Sequence, residues 1–460
     1  MHIDHEKISA LAALGEPSRA QALGVLEKAS AAKGLSLEEA AILLSIKDPG
    51  LLSELFRRAG EVKERVFGRR IVLFAPLYLS NYCTNGCTYC GFRSQNRDVP
   101  RKALTIDEAV SEAKALEAMG FKRVLLVTGE DPRWGLDYIA ACVRAIYDKT
   151  GMRIVHVNAP PMDTESLREL KKAGAGVYQS FQETYHRPTY ALMHPSGRKK
   201  DYDFRLDVMD RAMEAGFGDV GIGPLLGLYD YRYDSLASIA HSEHLFKNYG
   251  AHAHTISIPR LRPAEAGLVE APHRVSDEEL RKVVAIFRLS VPTAGIVAST
   301  REPAERRADL IHIGATQLSA ASRTNPGGYA GEKSLEQFST NDHRSLSEVI
   351  RSIIDEGLLP SLCTTCYRVG RTGGEFTGKT MAGEMEKFCQ ANAVLTLKEY
   401  LLDHCQNGQN GQNGQNGSTD GGEALLKAID QGLKDVDPGL MKALREKLDC
   451  LEAGERDLFF

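Results

Sequence analysis

Apolar positions along the chain follow two rhythms. Up to about residue 66 they recur at helical spacing, as in Ile8-Ser-Ala-Leu-Ala-Ala-Leu14 and Leu37-Glu-Glu-Ala-Ala-Ile-Leu-Leu44. Ser36, with Glu39 three places on, has the pattern of a capping box at the head of the second run. From residue 71 onward, short β-rich runs alternate with amphipathic helical ones. Strands are expected over 71–80, 123–128, 152–158, 176–183, 219–226, 252–259, 295–299 and 309–318. Helices are expected over 105–119, 136–149, 164–173, 201–215, 233–249, 276–289 and 345–356. Roughly eight βα units in about 290 residues predict an α/β fold with parallel strands, closed as a (β/α)8 barrel of TIM type. In such a barrel the active site gathers at the C-terminal ends of the strands.

The periodicity also divides the chain. Residues 1–68 read as a helical cap, 69–357 as the barrel, and 358–405 as a small, mainly helical unit carrying its own cysteines. Gln-Asn-Gly then repeats four times through Gly417, so 406–421 reads as a polar tether with nothing to bury. Residues 422–460 return to helical periodicity.

At 460 residues the chain can bury a large core, and its net charge of -4 gives no electrostatic case for nucleic acid or an anionic membrane as partner. No apolar run reaches transmembrane length and the first residues carry no signal-peptide core, so a cytoplasmic protein is expected. Nine cysteines, six of them in two sets of three, fit metal binding in a reducing compartment better than a disulfide framework. Cys142 reads as a buried helix residue.

The first set is Cys83-Thr-Asn-Gly-Cys87-Thr-Tyr-Cys90, a C-x3-C-x2-C loop directly after the first expected strand. Three soft thiolates suit a [4Fe–4S] cluster and leave one iron open to another ligand; a closed zinc site would normally take a fourth Cys or His, and neither lies between Cys90 and Arg101. Such a cluster, if exposed, makes the protein oxygen-sensitive. The second set is Cys363-Thr-Thr-Cys366 followed by Cys389, C-x2-C-x22-C. Here spacing leaves iron–sulfur and zinc level, because His404 or Cys405 could supply a fourth ligand.

Other groups stand where βα loops would face the same mouth. Gly129-Glu130 follows the second strand, Glu183 ends the fourth, and Arg205 opens the next helix; a zwitterionic ligand needs both signs of charge. Gly221-Ile-Gly223-Pro-Leu-Leu-Gly227 is one residue too long for a dinucleotide loop and reads as a strand whose glycines let an adenosine pack on backbone. His252 and His254, two apart on the sixth strand, should share a face and suit metal ligation or proton donation. Ser319 and Arg323 follow the eighth strand as a candidate carboxylate site.

The C-x3-C-x2-C loop with Tyr89 before its last cysteine resembles the radical S-adenosylmethionine (SAM) superfamily. Both cysteine sets, with Cys366-Tyr-Arg-Val-Gly-Arg-Thr-Gly373, Ala393-Val-Leu-Thr-Leu-Lys-Glu-Tyr-Leu401, Ala75-Pro-Leu-Tyr-Leu-Ser-Asn-Tyr-Cys83, His186-Arg-Pro-Thr-Tyr190 and Ile258-Pro-Arg-Leu-Arg262, are similar to the HydG family, radical SAM tyrosine lyases that mature [FeFe]-hydrogenase. Two stretches, Gly374-Glu-Phe-Thr377 and Cys389-Gln-Ala-Asn392, depart from that family's pattern. The resemblance implies that Cys83, Cys87 and Cys90 hold the cluster that reductively cleaves SAM, with Tyr89 beside the adenine and Glu130, Glu183 and Arg205 on SAM. It implies that the resulting radical attacks the amino group of L-tyrosine, releasing p-cresol and dehydroglycine, with Ser319 and Arg323 on the substrate. It further implies a second cluster, [4Fe–4S] or [5Fe–5S], on Cys363, Cys366 and Cys389, with His254 on an extra iron, where CO and cyanide form. Implied partners are a reductant such as ferredoxin or flavodoxin and other hydrogenase maturation proteins. Two alternatives remain: a ThiH-type lyase that stops at dehydroglycine for thiazole synthesis, and a non-catalytic iron–sulfur carrier or zinc-stabilised scaffold.

Overall fold

The computed structural model describes residues 3–263, 270–331, 336–406 and 419–460. The expected Gln-Asn-Gly tether therefore lies almost wholly outside the described residues. Eight parallel strands form a closed barrel: β1 (Arg70–Ser80), β2 (Arg123–Thr128), β3 (Ile154–Asn158), β4 (Val177–Gln179), β5 (Asp219–Ile222), β6 (Thr255–Ser257), β7 (Gly295–Ala298) and β8 (Gln317–Ser319). Closure runs through β1, whose Ala75 pairs with Val124 of β2 while Val72 pairs with Gln317 of β8. Long crossover helices between the strands bury their apolar stripes on the barrel wall, as right-handed βαβ connections do.

Four helices precede the barrel: α1 (His5–Ala12), α2 (Arg19–Ala29), α3 (Leu37–Leu44) and α4 (Pro49–Phe67). Ser36 and Glu39 make the expected capping box, each side chain satisfying the other's backbone N–H. α4 packs along the barrel helix Asp277–Ser290, and Lys282 from that helix reaches the Ile46 carbonyl at 2.7 Å, so this layer is fixed to the barrel wall.

Three expectations are corrected. The eighth strand does not begin at Asp309: Ala304–Ile313 is a helix, with Arg307, Leu310 and Ile311 buried on one face, and the strand starts at Gln317. The sixth strand is only Thr255–Ser257, so both histidines precede it. The helix expected over 201–215 is two, Tyr202–Leu206 and Val208–Glu214. A ninth short strand, β9 (Leu359–Ser361), joins the outer edge of β1 by pairing with Arg70, Ile71 and Val72. It delivers Cys363 to the N-terminal end of the barrel, the end opposite Cys83–Cys90.

Candidate active site

β1 ends at Ser80, and the chain turns at once into the first cysteine loop. Close packing fixes that loop against the end of β2. Thr84 donates its N–H to the Glu130 carbonyl at 3.0 Å, and a Cβ on Gly129 would stand 2.2 Å from the Tyr82 carbonyl oxygen. The glycine is thus required for two backbones to cross. Cys83, Cys87 and Cys90 line a cavity of about 240 Å³ that occupies the C-terminal mouth and runs down the barrel axis.

Burial pushes the Cys83 thiol up to about 11, with the Glu130 carboxylate and Cys90 adding to it, and raises Cys87 and Cys90 in the same direction. Thiols in that state are protonated near neutral pH unless a cation compensates them. The polycationic core of a [4Fe–4S] cluster is such a partner, so the donor set fits the group. Gln337 holds Cys90 from the far side: its Nε2 donates to Sγ at 3.6 Å while its Oε1 accepts from Tyr78 Oη at 2.7 Å. Tyr89 is buried beside the cysteines, with its hydroxyl 2.9 Å from His194 Nε2.

Opposite charges converge on the same cavity. Glu130 accepts from Asn85 Nδ2 at 2.7 Å and from Arg205, which also donates to Ser180 Oγ at 2.9 Å. Burial alone would raise the Glu130 carboxyl; the Arg205 and Lys199 cations outweigh it and hold the group below the usual carboxylate range. Lys199 Nζ sits 2.7 Å from Glu183, itself in the left-handed region at φ 69°, a strained conformation for a non-glycine residue. Glu183 does not end β4, as expected; it lies beyond it, bridged to Pro224.

Not every expected residue reaches this space. Ser319 lines it, but Arg323 does not; Arg323 uses its N–H on the Tyr329 hydroxyl. The cation on that side is Arg301, just beyond β7, with its guanidinium 3.4 Å over the Phe338 ring. The only sequence signal for Arg301 was its position after a strand. Gly221 and Gly223 do not line this space themselves: the place of a side chain at Gly221 is filled by Thr255 and Gln179, and at Gly223 by the Ser257 backbone.

Cys363, Cys366 and Cys389 line a second, smaller cavity at the N-terminal end of the barrel. Arg70, Arg123, His254, Gly295 and Gln317, each at or next to the start of a strand, complete its barrel side. His254 Nε2 is 2.8 Å from the Tyr367 hydroxyl and Nδ1 is 3.2 Å from Asp219, which also accepts from the Gly373 N–H at 2.9 Å. A carboxylate beside Nδ1 is the arrangement that orients a ligating imidazole, and Nε2, held here by the Tyr367 hydroxyl, is the nitrogen a metal would take in place of that contact. His252 parts from it, stacked on Phe246 with Nδ1 2.9 Å from Thr293. His404, tilted against the Tyr400 ring, and the exposed Cys405 are not among the residues lining this cavity. Among the described residues no three His, Cys, Asp or Glu side chains close on one metal ion, so the sulfurs surround a space rather than a point.

Arg123, Gln317 and Tyr367 line both cavities. Arg123 donates to the Cys363 carbonyl at 2.6 Å and lies over the Tyr367 ring, and Tyr367 packs edge-on against both His156 and His254. The two cavities therefore meet at these three side chains.

The comparisons agree with this architecture. The radical SAM superfamily model matches residues 77–240, and the biotin and thiamin synthesis associated domain matches 257–359. The chain is 37% identical to the 2-iminoacetate synthase of Escherichia coli strain K12 over 73% of this chain and 89% of that one. It superimposes on the crystal structure of HydG, a maturase of the [FeFe]-hydrogenase, with a TM-score of 0.94 and 44% identity over 100% of this chain and 99% of that one. The [FeFe]-hydrogenase maturase HydG from Carboxydothermus hydrogenoformans gives a TM-score of 0.84 and 36% identity over 97% and 100% of the two chains. Barrel, cysteine loop and relatives together define a radical SAM enzyme, with a [4Fe–4S] cluster and SAM as its cofactors. Within that superfamily the chain belongs to the family of HydG and 2-iminoacetate synthase. Among the described residues no helix is long and apolar enough to cross a membrane.

Proposed function

We propose that this protein cleaves the Cα–Cβ bond of L-tyrosine to p-cresol and dehydroglycine, then converts dehydroglycine to CO and cyanide at a second iron–sulfur centre held by Cys363, Cys366 and Cys389, for assembly of the [FeFe]-hydrogenase diiron unit. The observation that carries this reading is the adjacency of the two cysteine-lined cavities, which share Arg123, Gln317 and Tyr367 in their lining. That shared lining is where a small intermediate would pass from the first cavity to the second.

When bound, the first cluster and SAM supply a 5′-deoxyadenosyl radical. The chain's own residues position what that radical meets. Glu130 with Arg205, and Glu183 with Lys199, are buried pairs into which the amino and carboxylate groups of SAM can exchange. Arg301 and Ser319, on the opposite wall, face the same space and suit the tyrosine carboxylate. At the far end His254, oriented by Asp219, serves the extra iron. A ferredoxin- or flavodoxin-class reductant and other hydrogenase maturation proteins are the partners this reading requires, in an anaerobic cytoplasm.

Two variants separate the halves. Cys87→Ala should abolish both p-cresol and CO. Cys366→Ala should keep p-cresol and lose CO; retained CO would sink the division of labour, and a wild type giving p-cresol without CO would mark a lyase that stops at dehydroglycine.

A further inference from the structure

Behind the second cysteine set lies a buried group of cations. Lys63 on α4 is 0% exposed, and its Nζ has no hydrogen-bond partner among the described residues. Arg288 is equally buried and lies over the Phe67 ring, but its donors are met by the Gly314 and Pro292 carbonyls. Arg70, the first residue of β1, is 8% exposed; its guanidinium lies 4.8 Å from the Phe67 ring centroid, and Nη1 finds no partner among the described residues. Arg70 lines the second cavity together with Cys363, Cys366 and Cys389.

A buried guanidinium without a carboxylate is costly unless another anion offsets it. Strand pairing brings the two together: Arg70 stands opposite Leu359 of β9, and two residues past β9 comes Cys363. The same strand edge thus carries the cation and the first ligand of the set.

We propose that Arg70 is the built-in counter-charge of the second iron–sulfur centre, standing beside its three cysteine ligands and setting its reduction potential upward. The inference rests on the second centre proposed above. A cubane held by three thiolates is anionic and gains a further negative charge on reduction, so a fixed cation at a ligand sulfur favours the reduced form. The step is a one-electron reduction in which no bond forms or breaks; the electron comes from dithionite in the titration described next and from the reductant protein in the cell.

The test is a redox titration followed by electron paramagnetic resonance on the anaerobically reconstituted full chain, with Cys366→Ala identifying the signal that belongs to the second centre. Arg70→Gln should retain the wild-type iron content and the first cluster's potential, while the second centre becomes about tenfold harder to reduce, about 59 mV lower for one electron. Arg70→Lys, which keeps the charge, should stay close to wild type. An unshifted second centre in Arg70→Gln overturns the inference. If Arg70→Gln does not fold, Arg70→Lys decides: a potential near wild type supports the counter-charge, and a full tenfold loss with the charge intact overturns it. A wild type with no second signal overturns the second centre itself.

Discussion

Gly129→Ala tests how the first cysteine loop is held. The added Cβ would lie 2.2 Å from the Tyr82 carbonyl oxygen and 3.3 Å from Cys83 Cβ. Carbon–oxygen contacts settle at about 3.3 Å or more, so one backbone must retreat by about 1 Å. Gly129 is held by its N–H on the Ser80 carbonyl at 2.9 Å, and β2 is locked into the barrel on both sides, so Tyr82 and Cys83 are what moves. Overpacking of this kind costs about 1–3 kcal/mol in stability. The larger effect is on function, because a misplacement of about 1 Å at a reactive centre costs on the order of a hundredfold in rate. Reductive cleavage of SAM, measured as 5′-deoxyadenosine formed with dithionite under anaerobic conditions, should fall by about that factor in a folded Gly129→Ala protein. A variant with full iron content and a cleavage rate within about threefold of wild type would refute the crossing as the element that places the cluster.

Three further outcomes follow from buried groups. Asp234, fully buried, accepts from Thr184 Oγ1 at 3.0 Å and the Tyr185 N–H at 2.8 Å, and burial pushes its carboxyl up to about 7. A raised folded pKa means the native state binds the extra proton, so this group's contribution is complete below about pH 4 and is lost as pH rises through about 7. Asp234→Asn should therefore gain thermal stability relative to wild type between pH 5 and pH 8; a gap that stays constant across that range contradicts the shift. Glu130→Gln leaves Arg205 as an uncompensated buried cation and should cost about 3 kcal/mol, seen as a lowered thermal midpoint of the apoprotein, with an unchanged midpoint counting against the pair. His254→Ala should lower the iron bound per chain while leaving p-cresol formation intact, and unchanged iron would remove His254 from the ligand set.

The barrel was legible because its strands and crossovers obey two distinct periods, and the cysteine sets because thiolate spacing is itself the chemistry. What the sequence hid was non-local. Residues 311–316 alternate apolar with polar or glycine positions like a strand, yet Leu310 and Ile311 also fall on the helical face begun at Ala304, and packing chose the helix. β9 has three residues with Pro360 at its centre, too short and too proline-bearing to register as a strand until β1 supplies its partner. Arg301 looked like any loop arginine, since Phe338 beneath it lies far along the chain. Gly221 and Gly223 are tight positions because neighbouring strands crowd them, and a neighbouring strand and a ligand demand the same absent side chain, so sequence alone does not separate the two.

The central claim is that one chain couples tyrosine cleavage to CO release across its barrel. Protein reconstituted with iron and sulfide should be incubated anaerobically with SAM, L-tyrosine and dithionite, with CO trapped by ferrous haem and p-cresol followed in the same vial. The account predicts both products, with CO appearing after p-cresol. p-Cresol with no CO would contradict the second centre, and neither product would contradict tyrosine as the substrate.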